Sequence, residues 1–586
     1  MSAVSAAASA AMAAPAALRT GWAAGRGATR FTEFDYGSVQ LLGGPLKEQY
    51  DRIAADYAAL DNDRLLQVYR ERAGLPAPGK RMGGWYDRDG FVPGHTFGQY
   101  VSGLARLAKT SNDAQLKAKV QALVSGLAAT MAKDDNVLPG PNAEKLWPCY
   151  ILDKHLQGLV DAYEYCGMEE ARALIPRVLH GAQPYLPAVG RDRIGKKDPP
   201  YDETFILPET LFAAWELTGD KTIHDLAVRY LLDKELFDPL AHGVDVFPGQ
   251  HAYSHAIAMS SAGKAHLVLG DEKYLRAMQT AFRLLRDTQQ YATGGWGPNE
   301  TFITPHRGEL YASLRSTDDH FETPCGSYAA IKLARYLMCA TGEAQYGDGL
   351  ERVLYNALLA VREPDSDGDY PYYSTYGPQA RKTYYKIKWP CCSGTLVEGV
   401  ADYVKNIYFR MENGVAVNLY TPSQLNAKIA GSDVRITQKT AYPLDENVRI
   451  EVHTSAPAEF ALALRLPGWL EQKAEIRVNG KAATAHMERG FATLNRHWTA
   501  GDVVELRLPM RFRTEAIDDQ HPETVAVLRG PLVYVEMNPR SELSPLDALE
   551  KRTVFGDGFY RGGESVHAPF YFVREESYTT YFTQRS

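Results

Sequence analysis

Thr218-Gly219-Asp220 and Leu269-Gly270-Asp271 decide how the larger part of this chain folds. Each closes an apolar helical stretch and opens a charged, amphipathic one. The glycine supplies the left-handed residue that ends one helix, and the aspartate after it can cap the next. The same punctuation stands upstream at Thr110-Ser111-Asn112-Asp113 and Cys166-Gly167-Met168, and downstream at Thr341-Gly342-Glu343. The first four recur at intervals of about 50–55 residues, a period that marks repeated helical hairpins. The last interval is about 20 residues longer, and insertions into such repeats tend to fall on one face, often the binding face. Hairpins of this length, continued from residue 46 to about 405, predict an (α/α)6 toroid, with an open α-solenoid as the structural alternative.

Beyond about Asn406 the apolar period changes from helical to two. Residues 414–420, 448–452, 460–465, 474–481 and 503–508 alternate as strands, and Asn479-Gly480 marks a hairpin turn. Strands at this spacing predict a β-sandwich. The expected fold class is mainly α with C-terminal β. Its expected parts are an Ala-rich, disordered or processed segment over 1–30, a catalytic helical domain over 31–408 and a β-sandwich region over 409–586.

Composition narrows the function classes. The 586 residues are 45% hydrophobic and 23% charged with a net charge of -7, and no basic block is present, so nucleic acid is not an expected partner. No apolar run approaches the roughly 20 residues of a spanning helix, so neither is a membrane. The Ala-rich stretch over residues 2–24 carries small-residue, cleavage-like steps near Ala10 to Ala16 but lacks the basic start of a full signal peptide; the reading leans to export to the periplasm or medium, with the cytoplasm as the alternative. Tyr (35), Trp (8) and Phe (20) are plentiful, and Tyr and Trp suit sugar recognition because a ring face meets C–H groups while the polar tip meets hydroxyls. The expected partner is a carbohydrate, an oligosaccharide or a glycan side chain, with a homodimer left open.

Six cysteines in a chain this long do not make a disulfide scaffold. Cys149, Cys166 and Cys339 stand in apolar helical contexts and read as core. Cys391 and Cys392, in Trp389-Pro390-Cys391-Cys392-Ser393-Gly394, and Cys325, in His320-Phe321-Glu322-Thr323-Pro324-Cys325, read as lying in Pro/Gly-flanked loops. Neighbouring cysteines do not readily form a relaxed disulfide with each other. Two thiols with a third and a carboxylate suit a borderline metal, zinc by default, on Glu322, Cys325, Cys391 and Cys392. Three unrelated buried thiols are the alternative. A second loop, Thr293-Gly294-Gly295-Trp296-Gly297-Pro298-Asn299-Glu300, offers an aromatic face in Trp296 and an acid in Glu300. Glycoside cleavage needs a proton donor and a nucleophile or base across the sugar ring, and Glu300 with a thiolate could supply them.

In this order, Gly-Gly-Trp-Gly…Glu300, Glu322…Cys325 and the Cys391-Cys392 pair resemble glycoside hydrolase family 127, whose founding activity is β-L-arabinofuranosidase. Gly84-Trp85, Gly94-His95-Thr96-Phe97-Gly98-Gln99-Tyr100 and Glu351-Arg352…Tyr355-Asn356 extend the resemblance from about Phe34 into the sandwich strands. It implies a retaining, zinc-dependent exo-glycosidase, with the metal on Glu322, Cys325, Cys391 and Cys392. Cys391 would be the nucleophile that forms a thioglycosyl intermediate, and Glu300 the acid/base. His251 and Tyr373 match sugar-pocket positions, and His95, Asp153 and Trp296 complete the expected substrate-binding set. The sequence departs from the family pattern at three places. Glu322 stands three residues before Cys325 instead of two, so that His320 or water could take its place. Trp389 stands where founding members carry another cysteine, and Asp153 where a pocket histidine is common. Two rival functions remain. One is a polysaccharide lyase or epimerase using His251, His255 and Tyr253; the other is a non-catalytic glycan-binding protein with a structural zinc.

Overall fold

The computed structural model describes residues 27–192, 202–365, 367–539, 553–555, 558–562 and 565–584. The Ala-rich segment expected to be disordered or processed lies, but for its last four positions, outside the described residues.

The hairpins close on themselves. Phe97–Ser111, Pro148–Cys166, Leu207–Thr218, Ala252–Leu269, Thr323–Thr341 and Cys392–Ala401 each pack against the next, and the last packs back against the first. That closure settles the choice between toroid and solenoid. Ala114–Thr130, Glu169–Ala182, Lys221–Tyr230, Glu272–Leu284 and Ala344–Val353 return antiparallel outside this ring. The outer partner of Cys392–Ala401 is Gly44–Ala59, from the other end of the helical region.

The turns behave as their residues dictate. Gly167, Gly219, Gly270 and Gly342 sit in the left-handed region at helix C-termini, as Asn112 does at φ 54°. Asp113, Asp220 and Asp271 accept hydrogen bonds from the exposed N–H groups of the helices they start. Met168 and Glu343 make no such cap. Inner helices approach closely: a Cβ on Gly98 would lie 1.8 Å from the Lys154 carbonyl oxygen, so only glycine allows this crossing.

Because every inner helix runs the same way, their six N-termini gather at one end of the ring. The residues just before or within those first turns are His95, Tyr150, Glu203, His251, Cys325 and Cys391. Partial positive charge at helix N-termini thus converges on that end. The two long connections, 285–322 and 359–391, cover the same end.

Lower in the ring, charge is buried. Arg106 lies 2.9 Å from Asp161, 3.0 Å from Asp402 and 3.6 Å from Glu398, and Arg335 lies 2.7 Å from Asp402 and 2.9 Å from Glu33. These contacts tie four inner helices to the strand Thr32–Glu33. Replacing Arg106 by alanine takes the ion-pair partner from buried Asp161 and Glu398, and one of two from Asp402, and is expected to cost about 3–5 kcal/mol, measured as a fall in the thermal unfolding midpoint; an unchanged midpoint would contradict it. Burial works to raise the Asp402 carboxyl, but Arg335 and Arg106 outweigh it and hold the group well below the usual range. Its contribution is therefore complete above the unfolded value of about 3.9 and is lost as pH falls through the folded one.

The C-terminal region holds three sheets. A six-stranded sheet runs Thr32–Glu33, Tyr408–Met411, Gly414–Val417, Ala458–Arg465, Phe491–Trp498, His486–Glu488. A seven-stranded sheet runs Lys481–Ala482, Glu475–Val478, Asp502–Arg507, Asn447–Thr454, Ser432–Thr440, Ser423–Ile429, Val39–Leu41. Asn447–Thr454 meets Phe491–Trp498 between them, and Ile450, Val452, Leu462, Leu494 and Trp498 are buried there. The outermost strands Thr32–Glu33 and Val39–Leu41 come from ahead of the helical ring. A third sheet, centred on Thr524–Arg529 and Leu532–Met537, is fastened to the ring near the end where the inner helices begin. Tyr581 accepts from the Ala292 N–H at 2.9 Å, Tyr578 donates to the Thr375 carbonyl at 2.7 Å, and Arg352 forms a two-pronged pair with Glu515 at 2.6 and 2.7 Å.

Candidate active site

The cysteines read as loop residues are helix starts. Cys391 is the N-cap of Cys392–Ala401, and Cys325 lies in the first turn of Thr323–Thr341. Pro390 and Pro324 immediately precede them, and proline at a helix start was the available signal. The placement matters because a helix N-terminus favours a thiolate. Of the cysteines read as core, Cys149 and Cys166 are buried and Cys339 is half-buried.

The structure brings Glu322, Cys325, Cys391 and Cys392 together. Cys325 Sγ lies 3.5 Å from Cys391 Sγ and 3.4 Å from Cys392 Sγ; Glu322 Oε1 lies 3.2 Å from Cys391 Sγ and 3.8 Å from Cys392 Sγ. Glu322 gets there despite the longer spacing because Phe321–Glu322 pairs as a short strand with Tyr373–Ser374, Glu322 opposite Tyr373. His320 does not substitute for it: its ring accepts from the Tyr376 N–H and faces the Ser313 carbonyl. Trp389 is fully buried against Tyr370 and contributes no donor to the cluster.

Of the three thiols only Cys391 keeps measurable exposure, 7%. Burial tends to raise all three, but hydrogen bonds from Cys325, Cys392 and the Tyr372 hydroxyl, with the charge of His95, hold Cys391 well below the ordinary thiol range. Cys325, Cys392 and Glu322 are pushed up, first by burial. Glu322 Oε2 is buried without a hydrogen-bond partner. Three thiols and a carboxylate around one point, with an orphaned carboxylate oxygen, fit a tetrahedral zinc, whose thiolates at about 2.3 Å stand about 3.8 Å apart.

Glu300 faces this cluster: its carboxylate, the His251 ring and Glu322 offer atoms within 4.8 Å of one another. The Tyr373 hydroxyl donates to Glu300 Oε1, and His251 Nε2 lies 3.1 Å from Oε2. Burial would raise this carboxyl; the His251 ring and the Tyr373 and Tyr372 hydroxyls bring it down to about 2. Asn299 and Glu300 both have positive φ, 53° and 57°. Consecutive left-handed residues without glycine are strained, and they are held by the Asn299 N–H to Asp319 carbonyl bond at 2.7 Å and by Thr317 donating to Asn299 Oδ1 at 2.7 Å.

The remaining expected pocket residues divide. His95 is fully buried beside Cys391, held by its Nδ1 contact to the Val92 carbonyl at 2.6 Å, with Nε2 unpartnered and its pKa lowered to about 4 by burial. Two expectations are corrected. Trp296 is fully buried, its ring packed at 5.5 Å on Phe302 and 5.2 Å on Phe321, and it offers no face for stacking. Asp153 gives its oxygens to Lys154 Nζ at 2.9 Å and to the Thr210 hydroxyl at 2.6 Å, so it braces the helices instead of presenting a carboxylate to a ligand. Sequence reasoning missed Tyr372, 3.6 Å from Cys391 Sγ, although it stands beside Tyr373. It also missed Thr395, 3.1 Å from Cys325 Sγ and one helical turn after the pair.

A closed ring of helix hairpins with a thiol–carboxylate cluster at its N-terminal mouth, faced by a second carboxylate, has the form of a carbohydrate-active (α/α)6 enzyme. The sequence models of two domains match this chain: the β-L-arabinofuranosidase GH127 catalytic domain over residues 38–405 and the GH127 middle domain over residues 414–510. The chain belongs to glycoside hydrolase family 127.

A curated non-reducing end β-L-arabinofuranosidase of Bifidobacterium longum subsp. longum is 26% identical over 345 residues, 54% of this chain and 50% of that protein. The match thus spans about half the length of that relative. The crystal structure of a GH127 β-L-arabinofuranosidase from Geobacillus stearothermophilus T6 superposes with a TM-score of 0.71 at 20% identity, covering 93% of this chain and 100% of that one. A second solved GH127 β-arabinofuranosidase gives 0.73 at 19% identity over 95% and 98%. These two likenesses concern the fold. Among the described residues, no helix is long and apolar enough to cross a membrane.

Proposed function

We propose that this protein is a retaining exo-glycosidase that releases β-L-arabinofuranosyl groups from the non-reducing ends of glycans. In this reading Cys391 is the nucleophile and Glu300 the acid/base. The observation that carries it is Cys391 itself: the one cluster thiol with exposure and a lowered pKa, at a helix N-terminus, beside a carboxylate held by two donors.

In the first step Cys391 Sγ bonds to the anomeric carbon as its bond to the leaving oxygen breaks, and that oxygen takes a proton delivered at Glu300. In the second, Glu300 takes a proton from water, the water oxygen bonds to the anomeric carbon, and the carbon–sulfur bond breaks. Two inversions give retention. Because the resting Glu300 carboxyl is held ionised, Glu300 and His251 act as one proton-handling pair, with Oε2 and Nε2 3.1 Å apart. Tyr373 keeps Oε1 in place through both steps. The lyase reading needs a cation for a uronate, and Lys154, beside His95, is already paired with Asp153.

Glu322, Cys325, Cys391 and Cys392 would hold zinc, which when bound keeps the thiols ionised near neutral pH. Purified protein is expected to contain about one zinc per chain by elemental analysis, and Cys325→Ala to lose it. A fully active, metal-free protein would contradict the site. The activity is tested with p-nitrophenyl furanosides and pyranosides of both anomers: the β-L-arabinofuranoside should be cleaved and the α-anomer not, and the reverse preference would overturn the reading.

A further inference from the structure

On the outer flank of the ring, a cavity of about 370 Å³ opens where the three parts of the chain meet. The outer helices Glu272–Leu284 and Ala344–Val353 line it from one part, and the turn carrying Gly468 and Trp469 from the middle domain. The third sheet contributes Arg513, Glu515 and Pro531. Neither Cys391 nor Glu300 lines it. Its size is that of a small-ligand pocket.

The walls are fixed by their own bonds. Trp469 donates its indole N–H to Glu351 Oε2 at 3.2 Å, and buried Glu351 also accepts from Arg465 and from the Tyr442 hydroxyl, both at 2.6 Å. The Gly468 N–H donates to Asp348 Oδ2 at 3.1 Å, which sets the turn that carries the ring. On the third sheet Arg513 donates to the Gly530 carbonyl at 2.6 Å and to Glu515 at 3.3 Å. Glu515 is the carboxylate that Arg352 holds with two bonds. Phe282, buried against the Tyr346 ring at 4.8 Å, adds an apolar surface.

This lining selects a class of ligand. Arg286, Arg352 and Arg513 are matched by Asp348, Glu351 and Glu515, so the cavity has no surplus charge with which to hold an ion. A wholly apolar ligand would take water from these groups and return nothing. What fits is a neutral molecule with one apolar face and a polar edge, and a sugar ring has that form. Its C–H face meets an aromatic ring such as Trp469, while its hydroxyls meet planar amide, guanidinium and carboxylate groups. Among the described residues, the half-buried Gln290 amide lines the cavity without a hydrogen-bond partner, so both its donor and its acceptor are available. We propose that this junction is a second, non-catalytic saccharide site. Trp469 stacks on the face of a neutral sugar ring, and Gln290, Arg513 and Glu515 take its hydroxyls. Such a site holds a glycan to the enzyme and so raises the local concentration of the ends to be trimmed. It needs no step at Cys391, and therefore stands apart from the hydrolase reading.

Isothermal titration of the full chain with xylotriose, cellotriose and α-1,5-linked arabinotriose tests it. None of these has the β-L-arabinofuranosyl end that the catalytic site is read to take. At least one should bind with a Kd of about 1 mM or tighter. Trp469→Ala should weaken that binding about tenfold, the size of a lost ring contact, and Gln290→Ala about fivefold, the size of a lost hydrogen bond. If circular dichroism shows that Trp469→Ala does not fold, Gln290→Ala decides alone, because its side chain braces nothing else. No binding of any of the three at about 20 mM, well above that Kd, overturns the site. So does binding that either folded variant retains in full, which places the sugar elsewhere, or binding of sulfate in place of the sugars, which makes the junction an anion site. A chain that binds a sugar through Gln290 yet cleaves neither the p-nitrophenyl glycosides nor β-L-arabinofuranosyl fluoride supports this site and overturns the hydrolase reading alone.

Discussion

Cys391→Ser is expected to lower kcat by about 10⁴-fold or more, a loss of the size seen when a covalent nucleophile is removed. The serine hydroxyl occupies nearly the same place but is not ionised near neutral pH, and nothing around it is arranged to ionise it. The neighbours of Cys391 hold a sulfur anion: two thiols, the Tyr372 hydroxyl and the His95 ring, at the start of a helix. Cys392→Ser is the necessary companion, because both variants remove a donor from the cluster but only one removes the nucleophile. If both lose zinc, only Cys391→Ser should also lose the ability to be glycosylated by an activated substrate. Turnover by Cys391→Ser at the unmodified rate would exclude a thioglycosyl route.

Glu300→Gln is expected to cost about 10²–10⁴-fold on substrates with poor leaving groups, the usual contribution of a general acid. The amide keeps the shape and can still accept from Tyr373, but it cannot pass a proton. With the fluoride, whose departure needs little help, formation of the glycosyl-enzyme should be largely spared and its hydrolysis slowed, so the intermediate should accumulate. The pH profile should change as well. The Glu300 carboxyl is held low, so the protonated form needed to cleave a poor leaving group is depleted as pH rises; kcat/KM should fall toward the alkaline side, and Glu300→Gln should flatten that limb. An unaffected rate on poor and good leaving groups alike would remove Glu300 from the mechanism.

Helix ends were legible in the sequence because they are local: Gly219, Gly270 and the aspartates after them fix their own turns through one or two hydrogen bonds. Ring closure was less so, since it depends on Cys392–Ala401 packing against helices from distant parts of the chain. The strands Thr32–Glu33 and Val39–Leu41 were invisible because two or three residues carry no period, and their partners lie far along the chain. At the site, residue types with few bland uses, such as adjacent cysteines and an acid after a glycine run, announced themselves. Trp296 and Asp153 misled because a ring or a carboxylate in the right neighbourhood looks the same whether it faces a ligand or its own protein. Only the structure shows Phe302 and Phe321 against the one, and Lys154 and Thr210 on the other.

The central claim is a covalent bond from sugar to Cys391 sulfur. Its most direct test is to mix Glu300→Gln with β-L-arabinofuranosyl fluoride, quench, and locate the added mass by peptide mass spectrometry. The account predicts one pentosyl group on the peptide containing Trp389-Pro390-Cys391-Cys392, attached at Cys391. A pentosyl group on Glu322, or Glu300→Gln protein that turns the fluoride over while carrying no adduct, would contradict it.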